Sequence, residues 1–323
     1  MKPIYYLLAF FLMIVSCESG TKKLKDTVFQ DKKVIIGHRG ARGLLPENTI
    51  PGFIKGIELG VDAIECDVFI SHDDQIIISH GPTISSVFAS NPDGSPVTKA
   101  QSDSLIIHKM NYDEILKYDV GKRVNPDFPR QKSIPQKIPL LTHMFDSVKR
   151  YYKEHPEIQK EVVFILEIRS WHTWDNVYTP PYNQYIDSVM FTVKRYYGPE
   201  RIILHTYDTR ALKYLRRNYP EYTTEYLRRW PDAMRNLDSL RFSPKVYGPL
   251  FHQATKPDID TLHKLGIKVF TWTPDTLDQM IYQLDSLNVD GIGTDYPDIA
   301  VSKWGNPNHN LNAKTLEFEP INR

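Results

Sequence analysis

From residue 34 onward, short runs of β-branched and other apolar residues alternate with longer stretches whose apolar positions recur at helical spacing. That is the rhythm of strand followed by helix, and it predicts a parallel sheet. Nine runs read as strands: 34–37, 63–68, 76–79, 162–168, 201–206, 223–227, 245–248, 267–271 and 290–294. Only residues 69–75 separate the second run from the third, whereas a parallel crossover needs about a dozen residues or more. These two are therefore expected to form a hairpin turning at His72-Asp73-Asp74, which leaves eight strands for a closed ring. Helical stretches fall in the gaps, at 47–59, 141–155, 182–197, 209–218, 232–240, 259–265, 277–287 and 299–304. Several carry their own boundary signals, such as Asp208 or Thr209 ahead of Leu212 and Leu215, and Gly60 and Gly266 after a last turn. Strict alternation of this kind predicts an α/β chain folded as a (β/α)8 TIM-type barrel, with a β-hairpin and an insertion on the active face after the second strand. Its functional site is expected where strands end and βα loops begin.

The insertion covers 81–137 and is rich in Ser, Pro, Asn and Asp. It holds one expected helix at 112–118, with Asn111 as cap and Glu114 three residues on. A connection of such length is usually functional, and it reads as a lid or substrate-side subdomain. Ahead of the barrel, Lys2 precedes an apolar run over 4–15 that is too short for the roughly 20 residues of a membrane span. Ser16-Cys17 then resembles a bacterial lipobox, which implies cleavage before Cys17 and lipid on that residue. The expected organisation is a lipoprotein signal peptide at 1–16, a tether at 17–33, a single barrel at 34–304 and a polar tail at 305–323. A membrane partner through the lipid anchor and a place in the bacterial cell envelope, periplasmic or outer-membrane, follow from the same reading. With Cys17 used as an anchor, Cys66 is left alone and the barrel must fold without a disulfide.

Charge narrows the partners. Lys and Arg number 40 against 39 acidic residues, for a net charge of +1, and occur in scattered pairs such as Arg216-Arg217 and Arg228-Arg229. No basic face of the kind that binds a phosphate backbone is present, so nucleic acid is not an expected partner.

The strand ends carry polar residues where core would be expected. Gly37-His38-Arg39-Gly40 closes the first strand, Glu65-Cys66-Asp67 the second, His80 the hairpin and Glu167-Ile168-Arg169 the next strand. Side chains alternate between the faces of a strand, so Glu65 and Asp67 share one face and Cys66 takes the other. Three carboxylates in one barrel mouth repel unless a cation neutralises them. An all-oxygen set suits one divalent cation, Ca2+ or Mg2+. Arg39 and Arg169 add guanidinium forks that match phosphate oxygens. His38 and His80 add two groups that titrate near neutral pH, one to take a proton and one to give it. Together these point to phosphoester chemistry.

These residues resemble the glycerophosphodiester phosphodiesterase family, phospholipase-C-like barrels represented here in a bacterial lipoprotein form. The matching motifs are His38-Arg39-Gly40, Pro46-Glu47-Asn48-Thr49, Gly60-Val61-Asp62 leading into Glu65-Cys66-Asp67-Val68, Ile138-Pro139-Leu140-Leu141, Glu167-Ile168-Arg169, Trp272-Thr273, and Asp290-Gly291-Ile292 with Thr294-Asp295. The resemblance implies an enzyme that hydrolyses glycerophosphodiesters, a small-molecule substrate, to glycerol 3-phosphate and an alcohol. It further implies Glu65, Asp67 and Glu167 as metal ligands, His38 and His80 as the acid/base pair, Arg39 as a phosphate contact and Trp272 as a wall of the glycerol pocket. A neighbouring glycerol hydroxyl would attack phosphorus, giving a cyclic phosphate that water opens. Two positions depart from the pattern: Gly81 stands where the family has an acidic residue after its second histidine, and Arg169 stands where it has lysine. A lyase that stops at the cyclic phosphate, and a non-catalytic lipoprotein that binds phosphodiesters, are the alternative readings. The aromatic loop Trp171-His172-Thr173-Trp174 reads either as a wall for a choline or ethanolamine headgroup or as packing against the insertion.

Overall fold

The structure is a computed structural model that describes residues 32–158 and 161–305. The expected signal peptide, most of the tether, Cys17 and nearly all of the polar tail lie outside the described residues. Nine strands form one sheet: β1 Val34–Gly37, β2 Ala63–Ile70, β3 Ile76–Ile78, β4 Val163–Ile168, β5 Ile202–Thr206, β6 Thr223–Arg228, β7 Val246–Pro249, β8 Lys268–Trp272 and β9 Gly291–Thr294. The order is β1-β9-β8-β7-β6-β5-β4-β2-β3, and β1 also pairs with β2, so eight parallel strands close into a ring. β3 stands outside it as the antiparallel arm of a hairpin, pairing Ile78 with Val68. The fold is the expected (β/α)8 barrel.

Ten helices accompany the strands among the described residues: α1 Ile50–Leu59, α2 Lys99–Ser104, α3 Tyr112–Ile115, α4 Leu141–Glu154, α5 Tyr182–Tyr196, α6 Thr209–Asn218, α7 Ala233–Leu240, α8 Lys256–Lys264, α9 Leu277–Ile281 and α10 Pro297–Trp304. None is long and apolar enough to cross a membrane. Boundaries differ from expectation where side chains are needed elsewhere. α1 begins at Ile50 rather than residue 47, because Asn48 is left-handed (φ 55) and Thr49 is the cap, its hydroxyl accepting from Gly52 N. α8 starts three residues early, at Lys256, because Thr255 caps it and Pro257 sits in the first turn. α9 is shorter than expected and passes into a π-helical turn over Tyr282–Ser286.

The insertion is ordered rather than a bare loop. It contains α2, absent from the sequence reading, which opens with a reciprocal capping box between Thr98 and Gln101. Phe69 and Ile77 from the hairpin pack with Ile84, Val97, Ile107, Ile115, Val120 and Ile138 as a small separate core. This core seats the insertion on the C-terminal rim of the barrel. Two further cores follow the two-residue period of the strands. Outward residues such as Ile35, Ile64, Leu166, Leu204 and Val269 meet the helices, and Val34, Ile36, Ala63, Val163, Ile165, Ile203, Val246 and Phe270 fill the barrel interior. Cys66 faces outward into the first of these, buried, with burial pushing its thiol well up.

Candidate active site

Above the apolar filling, the next inward positions on the same strands are ionisable. Parallel register sets Asp67 beside Glu167, Glu167 beside His205, and His205 beside Glu225, so four such side chains follow one another around the ring. Gly248 makes room for the last: a Cβ there would stand 2.3 Å from Glu225 Oε1. One cavity of about 50 Å³ is lined by His38, Arg39, Glu65, His80, Glu167, Arg169, His205, Tyr207, Glu225, Arg229 and Trp272, among others. Of the described residues expected at the mouth, only Asp67 is not in its lining.

The loop after β1 is tightly bound. Arg39 has φ 50, a left-handed backbone for a residue with a side chain, and its N–H donates to Glu65 Oε2 at 2.8 Å. Its guanidinium is buried, bonded to Glu47 Oε1 at 2.9 Å with Asp67 Oδ2 3.4 Å away. Burial alone would lower it, but Glu47, Asp67 and Glu65 hold it well above its ordinary value. Glu47 also accepts from Arg42 at 2.6 Å, and Asn48 donates to Asp67 Oδ2 at 2.9 Å. His38 Nδ1 lies 2.6 Å from Asp295 Oδ1, with Nε2 turned toward Glu65 at 3.9 Å. Asp295 had no role in the sequence reading although Thr294-Asp295 belongs to the motif. Its partner is 257 residues away, so only ring closure brings them together.

The carboxylates divide into two groups. Asp67 is enclosed by guanidinium groups: burial would raise it, yet Arg39, Arg169 and the Asn48 amide hold it far below the usual carboxylate range. Arg169 Nη1 reaches both Glu167 Oε1 at 2.8 Å and Asp67 Oδ1 at 3.3 Å. Glu167 is instead pushed up to about 7, chiefly by burial and by Asp67 and Glu65, against the pull of Arg169 and His205. The atoms that converge as a possible cation cradle belong to Glu65, Glu167 and His205, all buried, within 4.8 Å of one another. Both ring nitrogens of His205 lack a hydrogen-bond partner in the described residues, with Glu65 and Glu225 each at 3.5 Å. Those two carboxylates outweigh burial and lift His205 to about 10. Crowded carboxylates around an unsatisfied imidazole fit a divalent cation, which would displace the proton. His205 and Glu225 were missed because His205 follows an apolar run and Glu225 sits in a mixed strand, Thr223–Arg228, with no motif around either; their inward parity with Ile203 and Leu227 was the available signal.

His80 forms the wall toward the insertion. Burial, opposed by Asp67 and reinforced by Arg39, Arg169 and His38, lowers it to about 2. Across the mouth, Trp272 donates its indole N–H to Gly248 O at 3.0 Å and meets Tyr207 edge-on. Trp171 stacks on Tyr207, whereas Trp174 packs against Phe69 and Tyr178. The aromatic loop is thus shared: one tryptophan faces the mouth and the other rests on the insertion core.

An eight-stranded barrel whose mouth holds three imidazoles, buried guanidinium groups and a cluster of carboxylates defines a phosphoric-ester enzyme of the TIM-barrel class. The pattern described as the Glycerophosphoryl diester phosphodiesterase family matches residues 38–299, and the chain belongs to that family. A glycerophosphodiester phosphodiesterase of Caldanaerobacter subterraneus subsp. tengcongensis is 24% identical over 277 residues, 84% of this chain and 97% of its own length. The crystal structure of a Silicibacter pomeroyi chain assigned to the same family is 26% identical, with a TM-score of 0.75, covering 86% of this chain and 95% of that one. An Oleispira antarctica phosphodiesterase, in complex with the product sn-glycerol-3-phosphate, shares the fold at a TM-score of 0.65 and 18% identity, covering 84% of this chain and 96% of that one. The protein is an enzyme, a phosphodiesterase of this family.

Proposed function

We propose that the protein hydrolyses glycerophosphodiesters to glycerol 3-phosphate and an alcohol, with His38 and His80 as its acid/base pair and one divalent cation, Ca2+ or Mg2+, at the mouth. The observation that carries this reading is a single cavity lined by both histidines and by Glu65 and Glu167. Asp295 accepts from Nδ1 of His38, which leaves Nε2 free to take the proton of an attacking hydroxyl. Burial, with the guanidinium charges beside it, keeps His80 neutral before substrate arrives, and an entering phosphodiester anion offsets those charges. Arg169 and Arg39 lie along the phosphoryl position, each already tied to carboxylates, so they hold it through a fixed field and their remaining N–H groups. Glu65 and Glu167 would hold the cation, with either Asp67, as the family resemblance implies, or His205, as the convergence of atoms favours, completing the set. When bound, the cation supplies positive charge to the phosphoryl oxygens. Trp272 forms the wall beside the substrate's glycerol.

The test is release of glycerol 3-phosphate from glycerophosphodiesters by protein lacking residues 1–17, with EDTA and with Ca2+ or Mg2+ restored. Metal-restored release supports the reading. A folded protein that accumulates only a cyclic phosphate in phosphorus NMR favours the lyase, and one that binds without turnover favours the binding role. We further propose that lipid on Cys17 tethers the enzyme in the cell envelope; radiolabelled palmitate should enter the wild-type chain in a bacterial host and not Cys17→Ser.

A further inference from the structure

A second and larger cavity, of about 290 Å³, lies on the other side of His80, between the C-terminal rim of the barrel and the insertion. His80 lines both cavities, so the two meet at this one side chain. The lining of the second is mixed: the hydroxyl residues Ser79, Thr83, Ser85, Ser86 and Ser102 stand beside Ile78, Phe88, Val120 and Ile138, with Lys99 also contributing. Its one carboxylate, Glu47, is committed to Arg39 and Arg42. A cationic headgroup would therefore find no free negative charge there, while a polyol would set its hydroxyls against Ser86 and its neighbours and its C–H faces against the apolar side chains. The aromatic wall opposite is closed to cations as well. Arg229 lies 5.4 Å from the centroid of Trp272 and 5.6 Å from that of Tyr207, and it makes no ion pair among the described residues, so a quaternary ammonium would have to displace a like charge.

We infer that this cavity is the headgroup site and that it takes an uncharged polyol, such as glycerol or inositol, in preference to choline or ethanolamine. The inference rests on the phosphodiesterase reading above: with the phosphate in the barrel mouth, the ester arm that does not stay beside Trp272 passes His80 into this space. Ser86 carries no hydrogen bond that the fold depends on, and Lys99 is exposed with Asp103 as its partner, so both can be changed without touching the mouth.

The experiment compares kcat/KM for glycerophosphoinositol, glycerophosphoglycerol and glycerophosphocholine in wild type, Ser86→Phe and Lys99→Glu. The polyol substrates should lead by at least about tenfold in wild type. Ser86→Phe should erase most of that lead by slowing the polyol substrates more than it slows glycerophosphocholine, and Lys99→Glu should narrow it by improving glycerophosphocholine. A wild-type enzyme that favours glycerophosphocholine, or a Ser86→Phe variant that slows all substrates by one factor, overturns the inference. Saturation-transfer NMR with EDTA present reads occupancy without turnover and so separates this inference from the catalytic reading. Saturation of inositol ring protons in wild type and its loss in Ser86→Phe supports the polyol site even if no diester is cleaved. Equal saturation of choline methyls, or inositol signals that survive the substitution, overturns it.

Discussion

The barrel interior has a floor and a mouth built on the same strands, two residues apart. Ile36 lies below His38, Ala63 below Glu65, Ile165 below Glu167, Ile203 below His205 and Phe270 below Trp272. Alternation is identical in both layers; only depth differs. The floor is apolar, and the charges above it are buried against it, which raises Glu167 and lowers His80. The floor thus stabilises the ring and also sets the electrostatic conditions in which the mouth works. Substitutions in the two layers should separate stability from turnover.

The largest separation is expected from His38→Ala, which should cost about 10²–10⁴-fold in kcat with little change in Tm. If turnover persists, His38 does not move a proton. Phe270→Ala in the floor should do the reverse, lowering stability by about 3–5 kcal/mol in denaturant titrations; an unchanged Cm would mean the floor is not close-packed. Next in size is metal affinity. Glu167→Gln should weaken it by about 10–100-fold by calorimetry. Comparing Asp67→Asn with His205→Gln then decides the third ligand, since the true ligand should lower affinity and the other should chiefly lower kcat. The smallest effect is expected at the bottom rim, where Asp290 accepts from Lys268 and His263 at 2.8 Å and from Val269 N at 2.9 Å. Burial opposes its ionisation, but those three bonds hold it below its ordinary value. A depressed folded value means stability present at neutral pH and lost as pH falls through the carboxylate range. Asp290→Asn should therefore lower stability by about 1–3 kcal/mol near pH 7, with the gap to wild type closing in acid and kcat unaffected. A gap independent of pH would show that charge is not what Asp290 contributes.

The ring was readable because strand and helix differ in period, and each βα unit repeats that difference over enough residues to stand out. His38, Glu65, Glu167 and Trp272 were readable for the same reason, as polar or aromatic residues closing apolar runs. What escaped was set by tertiary register. His205 and Glu225 carry no motif in the sequence until register places His205 beside Glu167 and Glu225 beside His205. Asp295 has meaning only next to His38, across the seam where β9 meets β1. Asp67 was expected beside the other two carboxylates as an equal, but the backbone of the first loop brings Arg39 and Asn48 onto it and turns it toward guanidinium groups. The α2 helix had a readable signal in Thr98 and Gln101, masked by the polar composition around it.

The seam has a further consequence for the protein as a colloid. β1 pairs with β9 on one side and β2 on the other, so the ring has no terminal strand to offer. The one strand outside it, β3, has its outer edge met by Leu140 and by Pro139, whose carbonyl accepts from Ile78 N. Among the described residues, neighbouring copies crowded together therefore find no unpaired backbone ladder to extend, and the barrel's topology protects it against edge-to-edge aggregation.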